Sequence, residues 1–161
     1  MFRAEDKTTN APVAVKISMD EFGECNGKEL FMLSHVQEHE HVVRLHDGAC
    51  SPYFLVIVME IGHMSLHQYL SERFSPVGEG GGVVPLCGGA VPHLLAGGNV
   101  PSSFAVTIGG QVARALEHVH KVDIIHRDLY PKNIVFRRDG IAMVIDFGMS
   151  VHVADGQDCD I

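Results

Sequence analysis

His126-Arg127-Asp128-Leu129-Tyr130-Pro131-Lys132-Asn133, followed downstream by Asp146-Phe147-Gly148, is the stretch that decides the fold. Between its two halves the chain reads as a hairpin. Asn133 to Phe136 and Ala142 to Ile145 have strand character, and Arg137-Arg138-Asp139-Gly140 carries turn chemistry. Ile124-Ile125 makes a short strand just before it. Further upstream, Phe104, Ile108, Val112, Leu116 and Val119 recur with the helical period, with Ser102 or Ser103 as the expected N-cap. Gly109-Gly110 inside that helix is unfavourable relative to alanine and is expected to mark a close packing contact.

Towards the N-terminus, Pro12 to Ile17 alternates, with Val13, Val15 and Ile17 on one face and Ala14 and Lys16 on the other. That is a half-buried strand. From about Glu21 to Gln37 the pattern turns helical, Leu30, Leu33 and Val36 forming a stripe with Glu29 beside it. Two β-type runs follow, Val42 to Leu45 and Tyr53 to Ile61, separated by Asp47-Gly48 and Ser51-Pro52. Ser65 can cap a short helix from Leu66 to Phe74. Val77 to Val100, dense in glycine and proline, reads as an inserted loop, mobile or disordered. A β-rich beginning with one helix, then a mainly helical part ending in a hairpin, makes an α+β chain.

The chain has 161 residues, and its Lys+Arg 12 against Asp+Glu 20 leave a net charge of −8. An acidic surface repels phosphate backbones, which argues against nucleic acid as a partner. Apolar residues at 46% and charged residues at 20% suit a globular domain with a core. Cys25, Cys50, Cys87 and Cys159 are far apart, without a C-x-x-C, and read as thiols in a reducing compartment. No signal peptide is visible in the charged start Met1 to Lys7. The apolar run Tyr53 to Met59 is too short for a bilayer. The stretch without charge between Glu79 and Arg114 is broken by Pro85, Pro92 and Pro101. The expectation is a cytoplasmic protein with no membrane contact. His35, His39, His41 and His46 cluster, but their spacing is not H-E-x-x-H, and a solvated turn is the expected reading.

Val13-Ala14-Val15-Lys16, a helix bearing Glu29, H-R-D-x-x-x-x-N and Asp-Phe-Gly occur in the order and at the spacings of the eukaryotic protein kinase family. From Met1 to about Ser150 the chain resembles that family. The resemblance implies a two-lobe fold, ATP and Mg²⁺, and transfer of a phosphoryl group to a protein hydroxyl, serine or threonine ahead of tyrosine. It implies residues 1–61 as N-lobe and hinge and 62–161 as a partial C-lobe with an insert at 77–100. Asp128 would orient the acceptor hydroxyl and take its proton, and Asn133 and Asp146 would hold the metal. Lys16 would hold the α- and β-phosphates, paired with Glu29, although Glu24 and Glu21 remain open for that place. Met59 would be the gatekeeper beside the adenine pocket, with backbone groups of Glu60 and Gly62 on the adenine. Leu33, Leu45, His126 and Phe147 fall where the family stacks its regulatory spine, and Arg127 where it grips an activation-loop phosphate.

No glycine loop precedes Lys16, no A-P-E follows Gly148, and Tyr130 stands where serine/threonine kinases carry lysine. The expectation is a partial catalytic domain, a weak catalyst by itself and a candidate for chaperone association. Two other functions stay open. One is a small-molecule phosphotransferase of the aminoglycoside-kinase type; the other is a catalytically silent nucleotide-binding or interaction module.

Overall fold

In the computed structural model, which describes residues 1–19, 27–74 and 100–153, the strand around Lys16 is an inner strand of a four-stranded antiparallel sheet. Its members are β1 (Phe2–Glu5), β2 (Pro12–Met19), β3 (Leu45–Cys50) and β4 (Phe54–Glu60), in the order β1-β2-β4-β3. β2 pairs with β4 from end to end, Ala14 opposite Met59 and Lys16 opposite Ile57. Helix α1 (Lys28–His35) sends Met32 and Leu33 into a core with Ala14, Leu55, Ile57 and Met59. The face under α1 is therefore that of Ala14 and Lys16. Val13 is buried as well, but Val15 is only half-buried, and Ile17 and Met19 are exposed. Alternation defines two faces of a strand; where a helix docks decides which one is covered.

The helix expected from Glu21 is seen from Lys28, and residues 20–26, with Glu21 and Glu24, lie outside the described residues. Gly27 enters α1 at φ 64°, where a Cβ would also meet Cys50 Sγ at 2.9 Å, so both backbone and space demand glycine there. The expected strand at Val42 to Leu45 is instead a loop that joins β3 at Leu45. Gln37 explains it: its Nε2 donates to Leu33 O at 2.7 Å and its Oε1 accepts Leu45 N–H at 2.7 Å. The loop is thereby tied to the end of α1, and Val42 forms a lone parallel bridge to Val144.

The second lobe comprises β5 (Met64–Ser65), α2 (Leu66–Phe74), α3 (Ser102–His120), β6 (Ile124–Ile125), a 3₁₀ turn at Pro131–Asn133, β7 (Ile134–Phe136), β8 (Ala142–Val144) and β9 (Val151–His152). The β7–β8 hairpin adds β5 as a third strand, and β6 pairs with β9. Ser65 caps α2 reciprocally with Gln68, accepting its N–H at 3.1 Å while donating its own N–H to Gln68 Oε1 at 2.9 Å. α3 departs from expectation at its start. Pro101 occupies the cap position, Ser102 and Ser103 are already helical, and no side chain caps the end. Proline's fixed φ and its carbonyl, which accepts Ala105 N–H at 3.1 Å, do that work instead.

Phe104, Ile108, Ala115 and Val119 are the buried stripe of α3. Phe104 stacks on Tyr69 at 5.1 Å beside Phe136 in the lower core, whereas Ala115 and Val119 reach the core beneath the N-terminal sheet. The contact expected at Gly109-Gly110 is absent among the described residues. A Cβ on Gly109 would meet nothing within 4 Å, and one on Gly110 only Arg114 at 3.9 Å. The architecture is α+β and two-lobed. Among the described residues no helix is long and apolar enough to cross a membrane. The 77–100 segment read as an insert lies, apart from Val100, outside the described residues.

Candidate active site

Lys16 reaches from the middle of β2 to carboxylates on both sides of the cleft. Its Nζ lies 2.6 Å from Glu29 Oε1 on α1 and 2.8 Å from Asp146 Oδ1 beyond β8. Glu29 is buried and Asp146 half-buried. Burial opposes the charge on Lys16, but the hydrogen bonds it donates to Asp146 and Glu29, with their charges, outweigh it and raise its pKa above the usual lysine value. The two acids diverge. Burial raises Glu29 above the ordinary carboxylate range despite the lysine; for Asp146 burial is overcome by the Lys16 hydrogen bond and charge and by the Gly148 N–H, and its pKa falls. Two carboxylates around one ammonium leave a net negative charge, which suits a further cation.

Asp128 and Asn133 form the second group. Asn133 Nδ2 donates to Asp128 Oδ2 at 2.8 Å and to Asp128 O at 2.9 Å, which locks loop and 3₁₀ turn together. With both amide hydrogens so engaged, Oδ1 is the remaining polar atom of a side chain that is buried. Asn133 O accepts Ile145 N–H at 3.0 Å, tying this group to the residue just before Asp146. Arg127 and Asp146 both hold φ 64°, the left-handed region. Each such residue costs about 1–3 kcal/mol and persists only where the surroundings over-determine it.

His126 joins the two groups. Its Nδ1 accepts Asp128 N–H at 3.3 Å and its Nε2 donates to Ile145 O at 3.0 Å, so the ring is a neutral tautomer with both nitrogens used. Burial lowers its pKa, against the Ile145 hydrogen bond and the charges of Asp128 and Asp146. Phe147 packs edge-on against it at 4.9 Å. Leu33 and Phe147 share the buried core under the sheet, and Leu45 packs against it from β3. Arg127 is exposed.

Met59 is buried on β4 with Ala14 and Leu45 as its cross-strand neighbours. Glu60 N–H is taken by Arg44 O at 2.8 Å, so its backbone could meet a ligand only through the carbonyl. At Gly62 a Cβ would meet Val135 Cγ1 at 2.8 Å; the segment between the lobes runs hard against β7. One supporting residue was missed from the sequence. Ser150 is fully buried and donates from Oγ to His126 O at 3.3 Å, yet nothing in its local pattern distinguishes it from a turn serine.

Comparison with known proteins gives the family of the chain. The family model for the protein kinase domain matches residues 1–160. A probable serine/threonine-protein kinase of Clostridium perfringens is 30% identical over 157 residues, covering 93% of this chain and 19% of the relative. The mitogen-activated protein kinase HOG1B of Wallemia ichthyophaga is 29% identical over 156 residues, 91% of this chain and 34% of its own length. HOG1 of Arthrobotrys oligospora is 29% identical over 153 residues, 91% of this chain and 36% of its own. The chain thus spans from about a fifth to about a third of the length of these relatives. It belongs to the protein kinase domain family.

Proposed function

We propose that the chain carries the nucleotide cleft of a protein kinase that transfers phosphoryl groups from ATP, with Mg²⁺, to serine or threonine hydroxyls of proteins. One observation carries the reading: Lys16 pairs with Glu29 and Asp146, and His126 and the Asn133–Ile145 bond tie that cluster to the Asp128–Asn133 pair. Phosphoryl transfer asks mainly for positioning and for neutralisation of charge, and that set supplies both. Lys16, held by Glu29, is positioned to bind the α- and β-phosphates. Asp146 and the free Oδ1 of Asn133 are the hard oxygen donors that fit Mg²⁺. When bound, the metal neutralises charge on the transferring phosphates. Asp128, fixed by the Asn133 amide, orients the acceptor hydroxyl and takes up its proton. Met59, the Glu60 carbonyl and Gly62 would border the adenine. Leu33, Leu45, His126 and Phe147 would support the site as one packed column, and Arg127 would meet a regulatory anion.

The lobe boundary falls at 61/62. The serine/threonine preference is supported by the name of the Clostridium perfringens relative and by Pro131, which resembles the serine/threonine form of the catalytic loop. The test is isothermal titration of ATP with and without Mg²⁺, together with phosphate transfer to serine- and tyrosine-containing peptides. Asp128→Asn should lower turnover by about 10²-fold or more while leaving Mg²⁺·ATP affinity within about threefold. Affinity without magnesium dependence, or equal loss of both quantities in Asp128→Asn, would count against these roles.

A further inference from the structure

The histidines read from the sequence as a solvated turn divide in the structure: His35 and His46 are exposed, but His39 meets His118 of α3 and His41 meets Arg114 of the same helix. His39 stacks on His118 with centroids 4.7 Å apart and planes 17° apart, and lies edge-on to His41 at 5.6 Å. The bonds around His39 and His41 require neutral rings. His39 Nδ1 accepts His41 N–H at 3.2 Å. His41, 3% exposed, donates from Nδ1 to Ala142 O at 3.0 Å and accepts Arg114 Nε–H on Nε2 at 3.4 Å. His118 donates from Nε2 to Gln37 O at 3.1 Å.

This joint fastens the loop leaving α1 to α3, and the same loop holds β8. Val144 N–H donates to His41 O at 2.8 Å, and Val43 N–H donates to Val144 O at 3.0 Å. We propose that the His39–His118 stack is an acid-sensitive latch: a proton on His39 Nδ1 removes the acceptor for His41 N–H, sets a cation against His118 and Arg114, and frees the loop and β8 from α3. The inference goes beyond phosphate transfer and needs no turnover to be tested.

The groups facing His39 fix the direction of the effect. Burial, then the charges His118 and His41 can carry, then Arg114 disfavour a proton on His39, whereas Glu40 and the Glu117 carboxylate favour one. Glu40 is divided between His41 Nε2 at 3.7 Å and Arg137 at 3.9 Å. Glu117 on α3 is engaged with Lys121 at 2.8 Å. The pKa of His39 therefore lies below its unfolded value of 6.5. A group depressed in this way stabilises the fold above its unfolded pKa and loses that contribution as pH falls through the folded one. The latch is closed at neutral pH and opens in mild acid.

The test is amide hydrogen exchange over residues 36–44 and 142–146 at pH 7.5 and pH 5.5, corrected for intrinsic exchange rates. It compares the natural chain with the double variant His39→Asn/His118→Gln. Asparagine Oδ1 keeps the acceptor for His41 N–H, glutamine keeps a donor for Gln37 O, and neither titrates. The natural chain should lose about tenfold in protection on acidification and the variant less than about threefold. Equal losses, or no loss in the natural chain, would overturn the latch. Should the variant lack protection at pH 7.5, the imidazole NMR titration of His39 in the natural chain decides. A midpoint below 6.5 that coincides with the exchange loss supports the latch, and a midpoint at or above 6.5 overturns it.

Discussion

Replacing Lys16 with methionine keeps most of the side chain's bulk and removes the one ammonium between Glu29 and Asp146. Side-chain exposures of 22% for Lys16, 9% for Glu29 and 35% for Asp146 set the magnitude of the two lost contacts. The Glu29 contact, largely out of water, is a charge-assisted hydrogen bond worth about 1.5–2 kcal/mol net. The Asp146 contact is screened by solvent and contributes about 0.5–1 kcal/mol. Lys16→Met should therefore destabilise the fold by about 2–3 kcal/mol at pH 7.5, a fall in Tm of about 5–10 °C for a chain of this size. The pH dependence distinguishes this cause from mere repacking. Lys16, its pKa raised, contributes fully at any pH below its unfolded value of 10.5 and so is constant between pH 5 and 8 in the natural chain. Glu29, already raised by burial, loses its cation in the variant and rises further, so acidification relieves the variant more than the natural chain. The difference between the two chains should shrink from pH 7.5 to pH 5.0, whereas the histidines, common to both, cancel. Urea unfolding followed by circular dichroism measures it, since the chain has Trp 0 and little else to report by fluorescence. A difference under about 0.5 kcal/mol at pH 7.5, or one that grows on acidification, would refute the electrostatic account.

Phe147→Ala empties a site only 1% exposed and should cost about 3–5 kcal/mol in urea unfolding, with retention of stability counting against its place in the core. Gly109→Ala and Gly110→Ala should each raise stability by about 0.5–1 kcal/mol, because no described residue occupies the added Cβ's place; a loss would reveal a neighbour there. His126, held neutral by burial, should titrate by NMR below its usual value of 6.5, so its contribution is present above that pH and lost as acid protonates the ring. A midpoint above 6.5 would contradict the tautomer assigned from its two hydrogen bonds.

The candidate site was legible because its residues are fixed by chemistry at short spacing: Asp128, Asn133 and Asp146 lie on two turns flanking one hairpin. The long helix was equally legible, since Phe104, Ile108 and Val119 repeat with the period that buries one side of a helix. Position along the period was less certain: Ala115 turned inward where Leu116 was expected, because the stripe drifts around α3 as its neighbours change from Tyr69 to the sheet. Local patterns failed where distant partners decide. Nothing near Val13 says which face of β2 a helix will cover, and nothing near His41 announces Ala142, a residue far along the chain whose carbonyl accepts its hydrogen bond. The serines before α3 looked like caps because of their chemistry, but a proline one position earlier had already set the backbone.

The bridge between Val42 and Val144 has a mechanical consequence. It pins the exit of α1 to the strand that ends just before Asp146, so α1 behaves as a lever with its fulcrum at the C-terminal end. Glu29 sits near the free end, an arm of about 10 Å from Val36 at the helical rise per residue. A tilt of about 10° about that fulcrum displaces Glu29 by about 2 Å. Such a tilt is enough to break the 2.6 Å contact with Lys16 while the β8 end stays where it is. Lys16 would then be left with Asp146 alone, and the distance between Nζ and the Glu29 carboxylate becomes a gauge of how α1 is inclined.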